Sequence, residues 1–453
     1  MLAPLPVGAQ STSTTSAAPP KRPEHAALAA AIDSIAEAAL REGPIPAISI
    51  AVVRGSDTIA LRGYGYAELE NEVPASAETV YRIGSITKQF TAAAILRLVE
   101  QGRISLEDPV SKHLAGLPEW SQRVTVHQLL NHTSGIRSYT GLGPKWTERM
   151  RLDLTHDELV ALFRDEPADF APGERWLYNN SAYYLAGMII EKVTGQSYGE
   201  YLQQTFFEPL GLDSTIYCDQ RPIIKHRAAG YSVAEGKFTN AAPLSMHQPF
   251  SAGALCSTVR DLVKWREALT SGRVITPASY ARMTTATPLS GGKEHPYGYG
   301  LSLGELQGHR FVAHGGGING FITYLSYYLE QDLTIAVLTN SGNSNPSRIE
   351  RQIARRVLGL PEPAVRDLPL NASERARYVG SYDARLGKLQ VLEEDGKLKL
   401  EGPLSSVLLY QGEHTFIAAA DSDVRVVFQM VGGRASGLTF TASGSSLEAE
   451  RVP

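Results

Sequence analysis

Several features are scarce or missing in this sequence of 453 residues. Neither sign of charge dominates, with 43 Lys and Arg against 47 Asp and Glu, so no basic surface for nucleic acid is expected. No stretch approaches the ~20 uninterrupted apolar residues of a membrane-spanning helix, because the alanine-rich segment HAALAAAIDSIAEAAL contains Asp33 and Glu37. These absences favour a soluble globular protein whose partner is a small molecule or a peptide.

Cysteine is scarce as well. Cys218 and Cys256 lie 38 residues apart, with no CxxC and no His/Cys cluster of zinc spacing. Because cysteine is among the most buried side chains, we expect two buried free thiols rather than a disulfide. The 11 histidines include no HExxH or comparable ligand pair, so neither a metal nor an organic cofactor is expected.

The N-terminal segment 1–24 is rich in Ser, Thr and Pro. Such a segment cannot bury enough apolar surface to fold, so we expect a disordered tail. Its VGAQ sequence has the small residues that commonly precede a signal cleavage site, although a basic start and a full apolar core are missing. We interpret the tail as a candidate remnant of a secretion signal, which favours a periplasmic or secreted location over a cytoplasmic one.

Hydrophobic periodicity divides the rest of the chain into parts. Residues 25–360 begin with a helix and two β-rich runs, continue with mostly helical patterns and return to a period of two. We therefore predict an α+β domain in which an antiparallel sheet flanked by helices carries an inserted all-helical subdomain. The proline-rich residues 361–371 are predicted to be a linker. Residues 372–453 alternate about glycine turns and are predicted to form a small all-β module.

An SxxK pattern occurs twice. Ser85 and Lys88 introduce ITKQFTAAAILRLVEQG, whose apolar residues recur at helical spacing, so Ser85 is predicted at a helix start. Lys88 would then lie one turn away on the same side, and the free N–H groups of the helix start would favour a developing oxyanion. Ser290 and Lys293 lie in a glycine loop without helical pattern, so nothing fixes that pair. The structural alternative for Ser85 is a serine that only caps the helix.

Two GxSxG sequences offer rival nucleophiles. Ser197 falls between two helices and forms a capping box with Glu200, which is a structural role. Ser302 lies on a strand that leads into another strand, whereas the α/β-hydrolase elbow needs a strand, a sharp turn and then a helix. The HGGG sequence follows both serines, although the similar lipase oxyanion motif precedes its nucleophile. The sequence therefore disfavours an α/β-hydrolase.

Two further motifs could complete a serine–lysine site, which needs a group to pass the proton to the leaving atom and polar groups to hold the substrate. Tyr178 and Asn180 lie two apart in a loop just before a predicted helix. His314 is predicted at a strand end beside three glycines, where backbone N–H groups can approach a substrate closely. Each has an ordinary alternative, a core tyrosine for Tyr178 and a tight turn for His314.

In this order, SxxK, YxN and [K/H]xG resemble the class C-like branch of the serine β-lactamase and penicillin-binding-protein superfamily. The segments VYRIGSITKQFTAAAILRLVEQG, VTVHQLLNHTSGI, PGERWLYNNSAYYLAGMIIEKVTG and SAGALCSTVRDLVKW are similar to that branch as well. The relatives include D-Ala-D-Ala peptidases, D-aminopeptidases and family VIII carboxylesterases. The C-terminal module, with YVGSYD near its start, resembles the lipocalin-like domain of some peptidases directed at D-amino acids.

The resemblance implies an acyl-enzyme hydrolase with a β-lactamase/transpeptidase-like fold and a barrel-like C-terminal module. Ser85 would attack a carbonyl, while Lys88 and Tyr178 would manage the protons in an order that stays open. The substrate-binding residues implied are Asn180, His314 and Gly316. The oxyanion hole implied is formed by the backbone N–H groups of Ser85 and Gly317.

His314 stands where β-lactamases of this type carry lysine. An unperturbed histidine has a pKa of ~6.5 and is mostly neutral at neutral pH, so a fixed cation near Tyr178 is missing or conditional. Potent β-lactamase activity is therefore not expected. We predict a peptidase for peptides that contain D-amino acids. The alternatives are a carboxylesterase for short acyl chains, a weak β-lactamase and a non-catalytic binder of cell-wall peptides.

Overall fold

The structure, a computed structural model, describes residues 23–383, 388–402, 405–442 and 445–452. The predicted tail lies almost entirely outside the described residues. The first helix spans Pro23–Glu42, close to its predicted position. None of the helices in the described ranges is both long and apolar enough to span a membrane.

The helices concentrate in the middle of the chain, as the hydrophobic pattern predicts. Four of the α-helices begin at a capping box, formed by Thr125, Thr155, Ser197 and Asn371 with the Gln or Glu three residues later. Short turns of 3-10 helix lie at Gly84–Ile86, Glu119–Gln122 and Tyr139–Gly141, and a π turn at Gln203–Phe207. The α-helices are α1 (Pro23–Glu42), α2 (Thr87–Glu100), α3 (Val110–His113), α4 (Val126–Leu130), α5 (Pro144–Thr147), α6 (His156–Phe163), α7 (Asn180–Thr194), α8 (Tyr198–Leu202), α9 (Glu208–Leu210), α10 (Phe250–Gly253), α11 (Val259–Thr270), α12 (Pro277–Met283), α13 (Pro346–Leu358) and α14 (Ala372–Arg375).

The strands before the C-terminal module come from both ends of this part of the chain. They are β1 (Ala47–Arg54), β2 (Asp57–Glu68), β3 (Val73–Pro74), β4 (Tyr81–Arg82), β5 (Ile216–Tyr217), β6 (Tyr231–Ala234), β7 (Lys237–Asn240), β8 (Leu255–Ser257), β9 (Thr287–Pro288), β10 (Glu294–His295), β11 (Ser302–Leu306), β12 (His309–Ile318), β13 (Phe321–Tyr328) and β14 (Leu333–Thr339). Seven of them form an antiparallel sheet in the order β11-β12-β13-β14-β1-β2-β3.

The central strand β1 is buried on both faces of this sheet. Ile48, Ile50 and Val52 pack into the hydrophobic core beneath α1 and α13. Ala51 faces the other way, into the larger core that includes α2, α7 and α11. The predicted α+β class, with helices on the sheet and a helical insertion, is confirmed.

A small three-stranded sheet in the order β4-β8-β5 corrects the expectation of free thiols. Ile216 pairs with Cys256 in this sheet, and the Cys218 N–H donates to the Ala254 carbonyl. The two cysteines therefore lie side by side, with 5.2 Å between their Cα atoms, and form a disulfide. Their separation along the sequence gave no sign of this pairing because β5 and β8 meet only through tertiary folding.

The last eight strands form a closed antiparallel barrel, as the resemblance to a lipocalin-like module implies. The strands lie within the segment predicted as the β module, whose boundaries stay a prediction. They are β15 (Gly380–Asp383), β16 (Lys388–Glu394), β17 (Lys397–Glu401), β18 (Ser406–Gly412), β19 (Thr415–Ala418), β20 (Asp421–Val431), β21 (Arg434–Ala442) and β22 (Ser445–Val452). Its core is packed with side chains that include Tyr382, Leu400, Phe416, Val426 and Phe428.

Buried ion pairs join the barrel to α13. Arg351 contacts both Asp421 and Asp423, at 2.5 and 2.7 Å. Arg355 also pairs with Asp423. Because Arg351, Arg355 and Asp421 are at most 5% exposed, these charges are paired in a largely water-free contact between barrel and sheet domain.

Candidate active site

Ser85 lies in the short 3-10 turn Gly84–Ile86, which leads directly into α2. It therefore just precedes the α-helix at whose start the sequence periodicity predicts it. Gly84 has a positive φ of 51°, and a Cβ there would lie 2.9 Å from the nitrogen of Gly317. A Cβ on Gly316 would lie 1.9 Å from the carbonyl oxygen of Ile83. The turn and β12 are therefore in direct backbone contact, which only glycines at these positions permit.

Lys88, on the first turn of α2, points at Ser85. Its Nζ lies 3.1 Å from the Ser85 Oγ, 2.8 Å from the Asn180 Oδ1 and 2.7 Å from the Ala252 carbonyl oxygen. The side chain is fully buried, and burial lowers the pKa of the amine well below its ordinary value. In the neutral amine, the two N–H groups match Asn180 and Ala252, which leaves the lone pair for the Ser85 hydroxyl.

Tyr178 lies on the other side of Ser85. Its hydroxyl is buried and has no geometrically formed hydrogen bond, although the Ser85 hydroxyl is close enough to stabilise the phenolate slightly. Burial outweighs that effect and raises the pKa of the phenol. The Lys88 Nζ lies 4.7 Å from the centre of the Tyr178 ring. Tyr178 is thus a neutral phenol with a free hydroxyl beside the candidate nucleophile.

Asn180 is the first residue of α7, just after the Asn179 cap whose side chain accepts the Ala182 N–H. Its Oδ1 accepts from Lys88, and its Nδ2 donates to the Thr140 hydroxyl at 3.1 Å. These two contacts fix which end of the amide faces the lysine. The YxN motif therefore brings both of its polar side chains to the Ser85–Lys88 pair.

His314 lies inside β12, which continues to Ile318, and not at a strand end as predicted. The predicted consequence nevertheless follows, because β11 pairs with β12 only as far as Ala313. Beyond that point β12 keeps β13 on one side and has a free edge on the other. This edge presents the backbone of Gly316 and Gly317 beside the turn that carries Ser85.

The charge of His314, which the sequence left open, follows from its surroundings. The residue is 5% exposed, and burial, followed by the nearby Lys88, lowers the pKa of its imidazole to about 3. Its Nδ1 lies 2.6 Å from the Gly315 carbonyl oxygen, and its Nε2 lies 2.9 Å from the Tyr297 hydroxyl. His314 is therefore neutral at physiological pH, and both of its ring nitrogens contact the protein.

The rival serines lack the lysine partner of Ser85, although Ser302 lines a small cavity together with His314 and Gly316. Ser197 accepts the Glu200 N–H as a helix cap, and Ser302 begins β11, where it pairs with Ala313. Ser290 is exposed in a turn, and its partner in the motif, Lys293, lies 3.7 Å from Glu448 in the barrel. Among the described residues, no hydrogen bond joins a lysine or histidine side chain to the hydroxyl group of Ser197, Ser290 or Ser302.

Sequence reasoning missed four contributors to the cluster. The Ala252 carbonyl is a backbone group and carries no sequence signal. Thr140, His132 and Tyr297 contact Asn180, Asn179 and His314 respectively, but each is distant in sequence from its partner. The segment VTVHQLLNHTSGI was noted for its resemblance, and the second of its two histidines is His132, so this resemblance is the signal that could have led to it. No group of three His, Cys, Asp or Glu side chains among the described residues is arranged to bind a metal.

Comparisons with known proteins agree with this arrangement. Penicillin-binding protein 4* of Bacillus subtilis is 29% identical over 431 residues, which cover 89% of this chain and 94% of that protein. The structure of an octameric penicillin-binding protein homologue from Pyrococcus abyssi matches with a TM-score of 0.68 and 29% identity, over 92% of this chain and 98% of that one. A D-stereospecific amidohydrolase from Streptomyces sp. matches with a TM-score of 0.64 and 32% identity, over 73% and 99%.

The order of the motifs, the fold and the similarity to these proteins all indicate the same family. A sequence model described as Beta-lactamase matches residues 32–360, which include SxxK, YxN and HxG. The resemblance to serine β-lactamases and penicillin-binding proteins is therefore confirmed, with the C-terminal barrel as an additional module. The chain belongs to the beta-lactamase family, whose members are serine hydrolases.

Proposed function

We propose that this protein hydrolyses amide bonds in peptides or amides of D-amino acids through an acyl-enzyme on Ser85. The observation that carries the proposal is the contact between the Ser85 hydroxyl and a buried lysine whose pKa burial lowers. A neutral amine at this distance can accept the proton of the hydroxyl as its oxygen attacks a carbonyl.

The first half of the reaction forms the ester. The Ser85 Oγ bonds to the substrate carbonyl carbon, and its proton moves to Lys88. The carbonyl oxygen becomes negative and lies against the N–H groups of Ser85 and Gly317, which the close approach of Gly84 to Gly317 supports. Breaking the C–N bond then requires a proton on the leaving nitrogen.

Tyr178 is the proposed donor of that proton. Its raised pKa keeps the phenol protonated, and its hydroxyl is free of other partners, so it can donate to the leaving amine and be reprotonated from Lys88. In the second half, water attacks the ester, loses a proton to the same pair, and Ser85 regains its own proton. Lys88 is then neutral again, and the protons balance over one turnover.

The character of the substrate is inferred from His314 and from the relatives. Since His314 is neutral, it provides no fixed cation for a terminal carboxylate of the substrate. This favours an amide or an N-terminal D-residue over a D-Ala carboxypeptidase substrate, and it disfavours potent β-lactamase activity. The likeness to a D-stereospecific amidohydrolase supports the D configuration.

A carboxylesterase for short acyl chains is the second candidate. The same neutral His314 favours it, because a simple ester carries no carboxylate to be held. The alcohol of an ester also leaves more readily than the amine of an amide, so ester hydrolysis depends less on proton donation by Tyr178. Ester turnover alone therefore does not distinguish this function from the first.

The test compares kcat/KM on D-alanine p-nitroanilide, its L counterpart, D-Ala-D-Ala and p-nitrophenyl butyrate. We expect the D-anilide to be cleaved faster than the L-anilide and the dipeptide. Ser85→Ala should lose at least ~10³-fold in kcat, while Ser290→Ala in the second SxxK motif should keep the parent rate. Hydrolysis of the ester with no cleavage of the D-anilide would favour the esterase. No turnover and no covalent adduct with a fluorescent penicillin would exclude both in favour of a binder.

A further inference from the structure

A chain of hydrogen bonds runs through the protein interior from the YxN loop to His314. The Asn179 N–H donates to His132 Nδ1 at 3.1 Å, and the His132 Nε2 lies 3.2 Å from the Tyr297 hydroxyl. The same hydroxyl lies 2.9 Å from the His314 Nε2. Finally, the His314 Nδ1 lies 2.6 Å from the Gly315 carbonyl oxygen. His132, Tyr297 and His314 are all at most 5% exposed, so water does not replace these bonds.

The two ends of this chain determine the position of every proton in it. A backbone N–H can only donate, so His132 accepts at Nδ1 and, being neutral, carries its proton on Nε2. That proton goes to the Tyr297 oxygen, so the hydrogen of the Tyr297 hydroxyl is left to donate to an acceptor such as His314 Nε2. A carbonyl oxygen can only accept, so the His314 proton lies on Nδ1 and points at Gly315.

The opposite tautomer of His314 is disfavoured by the same contacts. With a proton on Nε2, the Tyr297 hydroxyl could not donate to His314 and would have to turn to the neighbouring Tyr183 hydroxyl. The bare Nδ1 would then face the lone pairs of the Gly315 carbonyl. A buried carbonyl without its donor costs free energy, so the contact with Gly315 favours the Nδ1–H form.

His132 also ties this chain to the position of Tyr178. Its backbone has a positive φ of 63°, and its carbonyl accepts the Leu177 N–H at 3.0 Å. The His132 and Tyr178 rings lie 4.4 Å apart between centres. The titratable groups that face His314 are therefore Lys88, Tyr178 and Tyr297, with His132 one bond further on.

We propose that His132 and Tyr297 are positioning residues that hold His314 as a neutral imidazole with its proton on Nδ1. They thereby keep the cleft beside Tyr178 free of a histidine cation and favour substrates that are uncharged there. The second half of this proposal rests on the proposed amide hydrolysis, whereas the first half concerns the protein alone. An ordinary histidine–tyrosine contact for core packing is the alternative.

The neighbouring pair of His127 and Tyr299 provides a matched control. The Tyr299 hydroxyl lies 2.6 Å from His127 Nδ1, is likewise buried, and lies two residues from Tyr297 in the same segment. The other His127 nitrogen contacts Asn131 and not His314. Tyr299→Phe therefore removes a similar hydroxyl from a similar bond outside the chain that ends at His314.

The first experiment is nitrogen NMR of the full-length protein labelled at histidine, with His132→Gln and His314→Gln used to assign the signals. We expect a protonated Nε2 on His132 and a protonated Nδ1 with a bare Nε2 on His314 at neutral pH. A doubly protonated His314, or a His314 proton on Nε2, would overturn the proposal. This result does not depend on any substrate, so it stands even if no hydrolysis is detected.

The second experiment compares Tyr297→Phe with Tyr299→Phe. Without the Tyr297 hydroxyl, His314 Nε2 loses its donor, so the His314 signals should change from those of a hydrogen-bonded Nε2 to those of a free one, and His314 should become protonated at a higher pH than in the parent protein. The preference in kcat/KM for D-alanine p-nitroanilide over D-Ala-D-Ala should fall by about 2- to 10-fold, the factor that one ordinary hydrogen bond supports. Equal preferences and unchanged His314 signals in both variants would reduce the pair to core packing. If Tyr297→Phe does not fold, the spectrum of the parent protein still decides the tautomer.

Discussion

Lys88 and Arg351 are both basic side chains that the fold buries, but their surroundings have opposite effects on their charge. Lys88 is fully buried among three neutral oxygens and has no carboxylate partner within the described chain. Arg351 is 5% exposed and contacts the two carboxylates of Asp421 and Asp423. Burial alone lowers the pKa of Lys88, whereas the two aspartates outweigh burial and raise the pKa of Arg351.

The difference shows that the free-energy cost of burying a charge can produce a catalytic base or a structural ion pair, depending on whether a counterion is present. A buried amine without a counterion gives up its proton easily, and so becomes a base. A buried guanidinium with two counterions keeps its charge and links two parts of the fold. The comparison predicts that removing the Lys88 side chain lowers activity, whereas removing the Arg351 side chain lowers stability.

The largest effect is expected from Lys88→Met. Loss of the base should lower kcat/KM on p-nitrophenyl butyrate and the D-anilide by ~10³-fold or more. The free energy of unfolding should hold or rise, by up to ~4 kcal/mol, because a buried amine is replaced by an apolar side chain of similar shape. Steady-state kinetics and denaturant unfolding measure the two quantities. A large loss of stability would show that Lys88 also holds the fold together.

The pH dependence of this comparison has a defined sign. If Lys88 is neutral in the folded protein, the unfolded chain binds more protons, so parent stability rises with pH up to the ordinary lysine pKa of ~10.4. The gain from Lys88→Met should therefore shrink as pH rises. Activity should rise through the lowered pKa of Lys88, since only the neutral amine accepts a proton. The His314 pKa of about 3 predicts that His314→Gln has the same profile shape above about pH 5.

Arg351→Met should have the opposite outcome. It leaves Asp421 buried without its arginine, which typically costs about 3 to 5 kcal/mol of stability. The kcat/KM of the folded enzyme should stay within about twofold of the parent value, because the arginine lies in the barrel contact. Denaturant unfolding and rates measured well below the midpoint test this. Adding Asp421→Asn should recover part of the loss, and strictly additive losses would contradict a direct pair.

The smallest effect concerns Glu350, the residue before Arg351. It is 1% exposed, and burial raises the pKa of its carboxyl to about 7, while one of its oxygens accepts from Ser326 and Tyr328. A raised pKa means that the folded form binds more protons, so parent stability should fall as pH rises from ~4.3 to about 7. Glu350→Gln has an amide that mimics the neutral carboxyl. Between pH 5 and 8, its free energy of unfolding should therefore fall by ~2 kcal/mol less than that of the parent protein. A steeper fall in the variant would contradict the assignment.

Sequence reasoning reached the fold and the group of motifs because both depend on local signals. Helical spacing after Ser85 predicts that Lys88 faces it, and a loop before α7 predicts where Tyr178 and Asn180 lie. The glycines after His314 predict a close approach of backbone N–H groups to the substrate, although the predicted strand end is wrong because β12 continues to Ile318. The alternating runs of the last 80 or so residues predict a β module, although not that its strands close into a barrel without the resemblance.

What sequence could not reach depends on contacts between distant segments. The Ala252 carbonyl that accepts from Lys88 is a backbone group on another helix. The disulfide depends on β5 and β8 meeting in a small sheet, and the state of His314 depends on its burial against Lys88 and Tyr297. The ion pairs of α13 with the barrel likewise join residues about 70 apart in the sequence.

The glycines of β12 carry a consequence for engineering of the cleft. A Cβ on Gly316 would meet the Ile83 carbonyl oxygen at 1.9 Å, whereas a Cβ on Gly317 would meet no atom within 4 Å. A mutant library aimed at new substrates should therefore keep Gly316 fixed and vary His314 and Gly317. Of these two adjacent glycines, Gly316 has no room for a side chain, whereas Gly317 can be substituted without a steric clash.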